Sequence, residues 1–167
     1  MKKQKGFSLI ELLIVVAIIL IIAAIAIPNL LRARMAANES SAAGSIRTIN
    51  TAEVQYQQSY GPGYGALTSL GSPGPCGPGV LGTAAAACLI DPILSTAPFQ
   101  KSGYGFSVNL TGANNSGYET AAVPLQPGIT GQRSFCSEES GVIHVNLNGA
   151  GDPGTEAGCD GWQPLAQ

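Results

Sequence analysis

Charge is scarce in this chain. Asp, Glu, Lys and Arg make up 11% of the 167 residues and the formal net charge is −2, so no general basic field exists to hold nucleic acid phosphates. Aromatic residues are only 6%, and His144 is the single histidine. That one His would have to serve any Ser/His pair, and no nucleophile motif surrounds a serine. "GSPGPCGPG" (71–79) is rich in glycine but lacks the GK[ST] ending of a phosphate loop. Neither an enzyme nor a cofactor is expected. Helix breakers are missing from the first third: of 22 Gly and 11 Pro, all but Gly6, Gly44 and Pro28 lie from residue 61 onward. The chain therefore divides near residue 60 into a part poor in breakers and a part dominated by turns.

Cys76, Cys88, Cys136 and Cys159 all lie in the second part, and none forms a CxxC pair. A zinc site fits poorly, because His144 has no Cys near it in sequence. An even number of cysteines in a turn-rich domain suggests disulfides in an oxidising compartment. Of three pairings, Cys76–Cys88 with Cys136–Cys159 closes the shortest loops and is the one expected; each bridge would contribute roughly 3 kcal/mol by loop-closure entropy. Four buried free thiols are the alternative.

What is abundant is apolar sequence at the amino end. Lys2, Lys3 and Lys5 precede a run from Phe7 to Ile27, about 31 Å as a helix against a hydrocarbon core of about 30 Å. The basic start favours a cytoplasmic amino end. A secretory signal would have a shorter apolar region and a small-residue cleavage site on its far side; "AAIAIP" offers small residues there, but retention is expected. Glu11 is the anomaly, since an ionised carboxylate at mid-bilayer costs about 2.5–3.5 kcal/mol on insertion scales.

The helical pattern continues beyond that run. Leu31, Met35, Ala42, Ile46, Ile49 and Val54 suggest a stripe facing a core, with Arg32, Arg34, Arg47 and Glu53 on the polar side. Pro28 and Gly44 weaken the helix without ending it, and "GPGYG" at 61–65 is the terminator. The expected helix is about 54 residues, or roughly 80 Å, greasy all round in 7–28 and amphipathic in 29–60. Tyr56, Tyr60 and Tyr64 recur every four residues; packing at the helix end accounts for the first two more simply than an electron relay does.

"KGFSLIELLIVVAIILIIAAIAIPNLLRAR" (5–34) resembles the N-terminus of type IV pilins and of the related pseudopilins of type II secretion. Gly6 before Phe7, Ser8, Glu11, the apolar run and Pro28 carry the likeness, which covers about the first 60 residues. The resemblance implies a leader, 1–6, removed by a prepilin peptidase between Gly6 and Phe7, with methylation of the new Phe7 amine. Losing Lys2, Lys3 and Lys5 leaves five Lys and Arg against ten Asp and Glu, a side-chain charge of −5. It further implies assembly through Phe7, Glu11 and Pro28, with Glu11 meeting the amine of a neighbouring copy, and Pro28 marking either local melting or a static kink. The implied partners are the chain itself in a helical homopolymer, the peptidase, an inner-membrane assembly platform and, before assembly, the membrane. Nucleic acid enters only through DNA uptake. The implied function is a surface filament serving adhesion, twitching or DNA uptake; a secretion pseudopilin and a single-span anchored binding domain are the alternatives.

The remainder reads as a small antiparallel sheet, 103–167, after a Gly/Pro-rich connection, 61–102. "YGFSVNL" alternates Tyr104, Phe106, Val108 and Leu110 as a half-buried strand. "YETAAVPL" is a second strand whose end Pro124 demotes to an edge. "QRSFCS" and "GVIHVNL" flank "EESG" as a hairpin, with Ile143, Val145 and Leu147 on one face and His144 exposed on the other. "TAAAACLIDP" is expected to add a helical turn or two ending at Asp91 before Pro92. In the tail, Asp152, Glu156 and Asp160 are weak calcium candidates, a solvated acidic turn being the plainer reading. A Cys136–Cys159 staple there would resemble the disulfide-bounded loop of many pilins, with Trp162 packed beneath. The fold class is α+β and pilin-like: a long N-terminal helix, transmembrane then amphipathic, packed on a small antiparallel sheet with disulfide-stapled loops.

Overall fold

The computed structural model describes residues 8–72, 76–77, 82–149, 159 and 161–165. Its contacts divide the chain into two units, 1–34 and 35–167. Helix α1, Leu9–Tyr60, runs unbroken through Pro28. It stops where Gly61 takes φ +132°, a conformation open to a residue without a side chain. At Gly65 a Cβ would come within 3.2 Å of the Tyr56 ring.

Within the second unit, one stripe of α1 is buried. Ala42, Ile46, Ile49 and Ala52 are in the core, and Glu39 and Glu53 are buried on the same helix. The series Glu39, Ala42, Ile46, Ile49, Glu53, Tyr56 has steps of three and four, as a core-facing stripe requires. Val54 and Leu31, expected on that stripe, are exposed, and Glu53, expected on the polar side, is fully buried. The stripe thus runs through Ala42, Ile46 and Ile49 as expected and then through Glu53 in place of Val54.

Against α1 lies a six-stranded antiparallel sheet in sequence order. Its strands are β1 Gln100–Lys101, β2 Tyr104–Thr111, β3 Gly117–Pro124, β4 Ser134–Glu138, β5 Ile143–Asn146 and β6 Gln163–Pro164. Register places Phe106, Ala122, Phe135 and Val145 in one row, and all four join the α1 stripe in the core. Fully burying such a side chain contributes about 1.5–3 kcal/mol. Asn50 Nδ2 donates to Ser137 Oγ at 2.8 Å, tying helix to sheet. The opposite row runs Ala121, Cys136, His144. There the structure pairs Cys136 with Cys159 and, in the connection, Cys76 with Cys88. The Cys159 N–H donates to Glu138 Oε1 at 2.8 Å, and the Leu165 N–H donates to the Ile143 carbonyl at 2.7 Å. Six of the first seven residues of β3 are buried although they alternate between both faces.

Several expectations are corrected. The sheet begins inside 61–102, at β1, where a two-residue turn of Ser102 (φ +51°) and Gly103 (φ +75°) closes a hairpin of the type I′ kind that matches strand twist. The connection also holds two short helices, α2 Leu67–Leu70 and α3 Pro92–Ser95. "TAAAACLIDP" forms no helix ending at Asp91. Asp91 instead begins one, accepting from the Ile93 N–H at 2.9 Å with Pro92 at the first position, since proline suits a helix start and Asp caps it. That hydrogen bond, with Lys101 nearby, holds the Asp91 carboxyl below its ordinary value of 3.8. Leu147 falls beyond β5 and is exposed. His144, expected to be exposed, is half-buried, in register with Cys136. Pro124 has β2 on one side only, as β4 reaches no further than Ala122.

Candidate assembly surface

In the first unit, every large apolar side chain from Leu9 to Leu31 is exposed, from 46% at Val16 to 80% at Leu9. A contiguous apolar surface on this scale marks an interaction or membrane site. The segment is also long and apolar enough to cross a membrane.

Glu11 sits at the start of this surface. The Ser8 N–H donates to Glu11 Oε2 at 2.9 Å, and the Leu12 N–H donates to the Ser8 carbonyl at 3.2 Å. With α1 starting at Leu9, Ser8 is the cap residue and Glu11 the third helical residue, half of a capping box. The carboxylate thereby satisfies a donor that would otherwise be orphaned and meets the positive end of the helix dipole. Sequence reasoning missed this, although S-x-x-E before an apolar run is its standard signal. Gly6 and Phe7 lie outside the described residues, as do the calcium candidates Asp152, Glu156 and Asp160.

Two buried carboxylates of α1 hold the second unit together. Glu39 Oε2 meets Arg133 through Nε and Nη2, each at 2.8 Å. Its Oε1 accepts from the backbone N–H groups of Gln132 at 2.9 Å and Arg133 at 3.2 Å. Asn38 Nδ2 donates to the Thr130 carbonyl at 2.8 Å beside it. Glu53 Oε2 accepts the Gly65 N–H at 2.9 Å, while Oε1 has no hydrogen-bond partner. Burial pushes the Glu53 carboxyl up from 4.5 to about 7, against the lowering effect of the Gly65 bond. Burial likewise raises the Tyr118 hydroxyl, whose ring meets Tyr64 edge-on at 4.7 Å. Tyr56 pairs with Tyr60 at 5.2 Å, so the tyrosines form two separate pairs in the packing. Glu119 lies with Cys136 and Cys159, but both sulfurs are in the disulfide and offer no thiolate to a metal.

Comparison with known proteins adds to this geometry. Residues 1–27 match the prokaryotic N-terminal methylation motif family. The chain is 47% identical over 74 residues to the type IV wide pilus major component PilA4 of Thermus thermophilus, covering 42% of this chain and 56% of that one. Its N-terminal segment carries the prokaryotic methylation motif and is similar to those of type IV pilins. It is also 44% identical over 54 residues to the type IV major pilin protein PilA of Myxococcus xanthus, covering 32% of this chain and 24% of that pilin. The chain thus spans about half the length of one pilin relative and a quarter of the other. No solved structure matches it significantly. The α+β architecture, with its long apolar N-terminal helix, antiparallel sheet and two disulfides, is pilin-like.

Proposed function

We propose that this chain is the structural subunit of a type IV pilus, polymerising through its N-terminal helix into a surface filament. The observation that carries the reading is the methylation motif leading straight into a helical segment whose large apolar side chains are all exposed, with Glu11 as its one carboxylate. The chain starts in the inner membrane with its amino end cytoplasmic and its second unit on the far side. A prepilin peptidase cuts between Gly6 and Phe7, the Phe7 amine is methylated, and an assembly platform lifts the subunit into the filament. Adhesion, twitching or DNA uptake are the uses such a filament serves.

Register comes from Glu11. The apolar faces adhere at many offsets, whereas a carboxylate in lipid or in a packed helical core needs a cation. The Phe7 amine of a neighbouring copy supplies one at a single axial position. An unpaired buried charge is costly and pairing offsets much of that cost, as polar groups set register in coiled coils. Glu11→Leu is expected to insert into membranes normally and to give no filaments, scored by fractionation and by electron microscopy of sheared surface material. Normal filaments from this variant would refute the pairing. A cleaved leader without long fibres in the wild type would point to a secretion pseudopilin, and an intact leader to a membrane-anchored binding domain.

A further inference from the structure

Strand β2 has an open side. Its register with β3 is unbroken from Tyr104↔Pro124 to Thr111↔Gly117, but β1 covers only Tyr104 and Gly105. The Phe106 N–H still reaches back to the Phe99 carbonyl at 2.8 Å. Phe99 takes φ +55°, and there the chain turns away from the edge. Antiparallel backbones alternate their hydrogen-bonding direction. Since Phe106 points away from β3, so do the N–H and C=O groups of Val108 and Leu110, and among the described residues nothing pairs with them.

Exposed edges are ordinarily guarded by charge, proline or a bulge. This one has none: no Lys, Arg, Asp or Glu occurs between Lys101 and Glu119, β2 contains no proline, and the register shows no bulge. Beside the edge lies a cavity of about 230 Å³ lined by Leu67, Phe99, Phe106 and Val108 among others. It is placed to take one apolar side chain from a strand laid along β2, because side chains of an added strand alternate between the faces.

We propose that the β2 edge at Val108 and Leu110 is a strand-addition site occupied by an extended segment of a second copy of this chain. This rests on the filament reading, which brings copies together at high local concentration. An edge so unguarded would template uncontrolled association there unless a neighbour covers it. A polar filament needs heterologous contacts, so the donor segment differs from β2 itself. The backbone pairing supplies adhesion and the cavity selects the side chain.

The test compares amide hydrogen exchange of the full mature chain in detergent micelles with that in sheared filaments. The Val108 and Leu110 amides are expected to exchange at least about tenfold more slowly in filaments, the factor that corresponds to ~1.4 kcal/mol. The Ser107 and Asn109 amides, directed at β3, stay protected in both. Equal exchange at Val108 and Leu110 in the two states would overturn the proposal while leaving the filament reading intact; failure of the wild type to form filaments at all would sink that reading instead. Leu110→Pro removes only an outward donor, so it is expected to fold in micelles and to lose assembly or produce filaments that dissociate readily. Filaments from Leu110→Pro as abundant and durable as the wild type would likewise overturn it.

Discussion

Replacing Glu39 with Ala is expected to destabilise the folded unit by about 2–4 kcal/mol. The side chain is 10% exposed and serves four donors: Nε and Nη2 of Arg133 and the backbone N–H groups of Gln132 and Arg133. Truncation leaves those N–H groups and the guanidinium without their acceptor. The loss falls short of that for a fully buried ion pair, because the Arg133 side chain is 40% exposed and water can take up part of its charge. Glu39→Gln keeps an acceptor for the backbone donors and is expected to lose less than half as much. The measurement is urea unfolding of the full chain in micelles, followed by near-ultraviolet circular dichroism. A double-mutant cycle with Arg133→Ala isolates the pair. A cost for Glu39→Ala below that of an ordinary surface substitution would contradict this role.

The second large effect is a pH dependence located at Glu53. Its carboxyl is raised from 4.5 to about 7, chiefly by burial. When folded pKa exceeds unfolded pKa, the folded state binds more protons, and stability falls as pH rises between the two values. Here the stabilising contribution is fully present below about pH 4.5, is lost as pH climbs to about 7, and the loss is constant above that. The whole span amounts to about 3 kcal/mol at 1.36 kcal/mol per pKa unit. Glu53→Gln retains an acceptor for the Gly65 N–H and cannot ionise. It is therefore expected to match the wild type near pH 4 and to exceed it increasingly up to pH 7. Stability curves for the two proteins that run parallel from pH 4 to 8 would show that Glu53 does not titrate in the buried state.

These two residues also show where sequence reading succeeds and where it stops. Breaker distribution and apolar periodicity make the long helix legible, and period-two alternation does the same for β2, β4 and β5. Glu39 and Glu53 occupy stripe positions by spacing, yet their chemistry argues for the surface. Only partners far along the chain, Gln132 and Arg133 for one and Gly65 for the other, make burial tolerable, and no local pattern announces them. Strands β1 and β6 have two residues each, too few for any period. They exist because β2 and β5 offer open edges. Asp91 before Pro92 spells a helix stop and, in the same order, a helix start; the cap hydrogen bond decides for the start. At the candidate surface, the motif residues were legible one by one, while the Ser8 to Glu11 cap lay in a four-residue signature that the apolar run obscured.

The cap also bears on assembly. A carboxylate already bonded to the Ser8 N–H is held at the amino end of its own helix, so it needs no rearrangement to face an incoming amine. In the proposed filament Glu11 has two uses, closing its helix start and choosing the neighbour's position.

The central claim is that copies cut before Phe7 polymerise through the apolar segment. Mass spectrometry of sheared, purified surface filaments tests it most directly. The account predicts fibres built mainly of this chain, each copy beginning at an N-methylated Phe7; chains beginning at Met1, or surface material free of this chain, would contradict it.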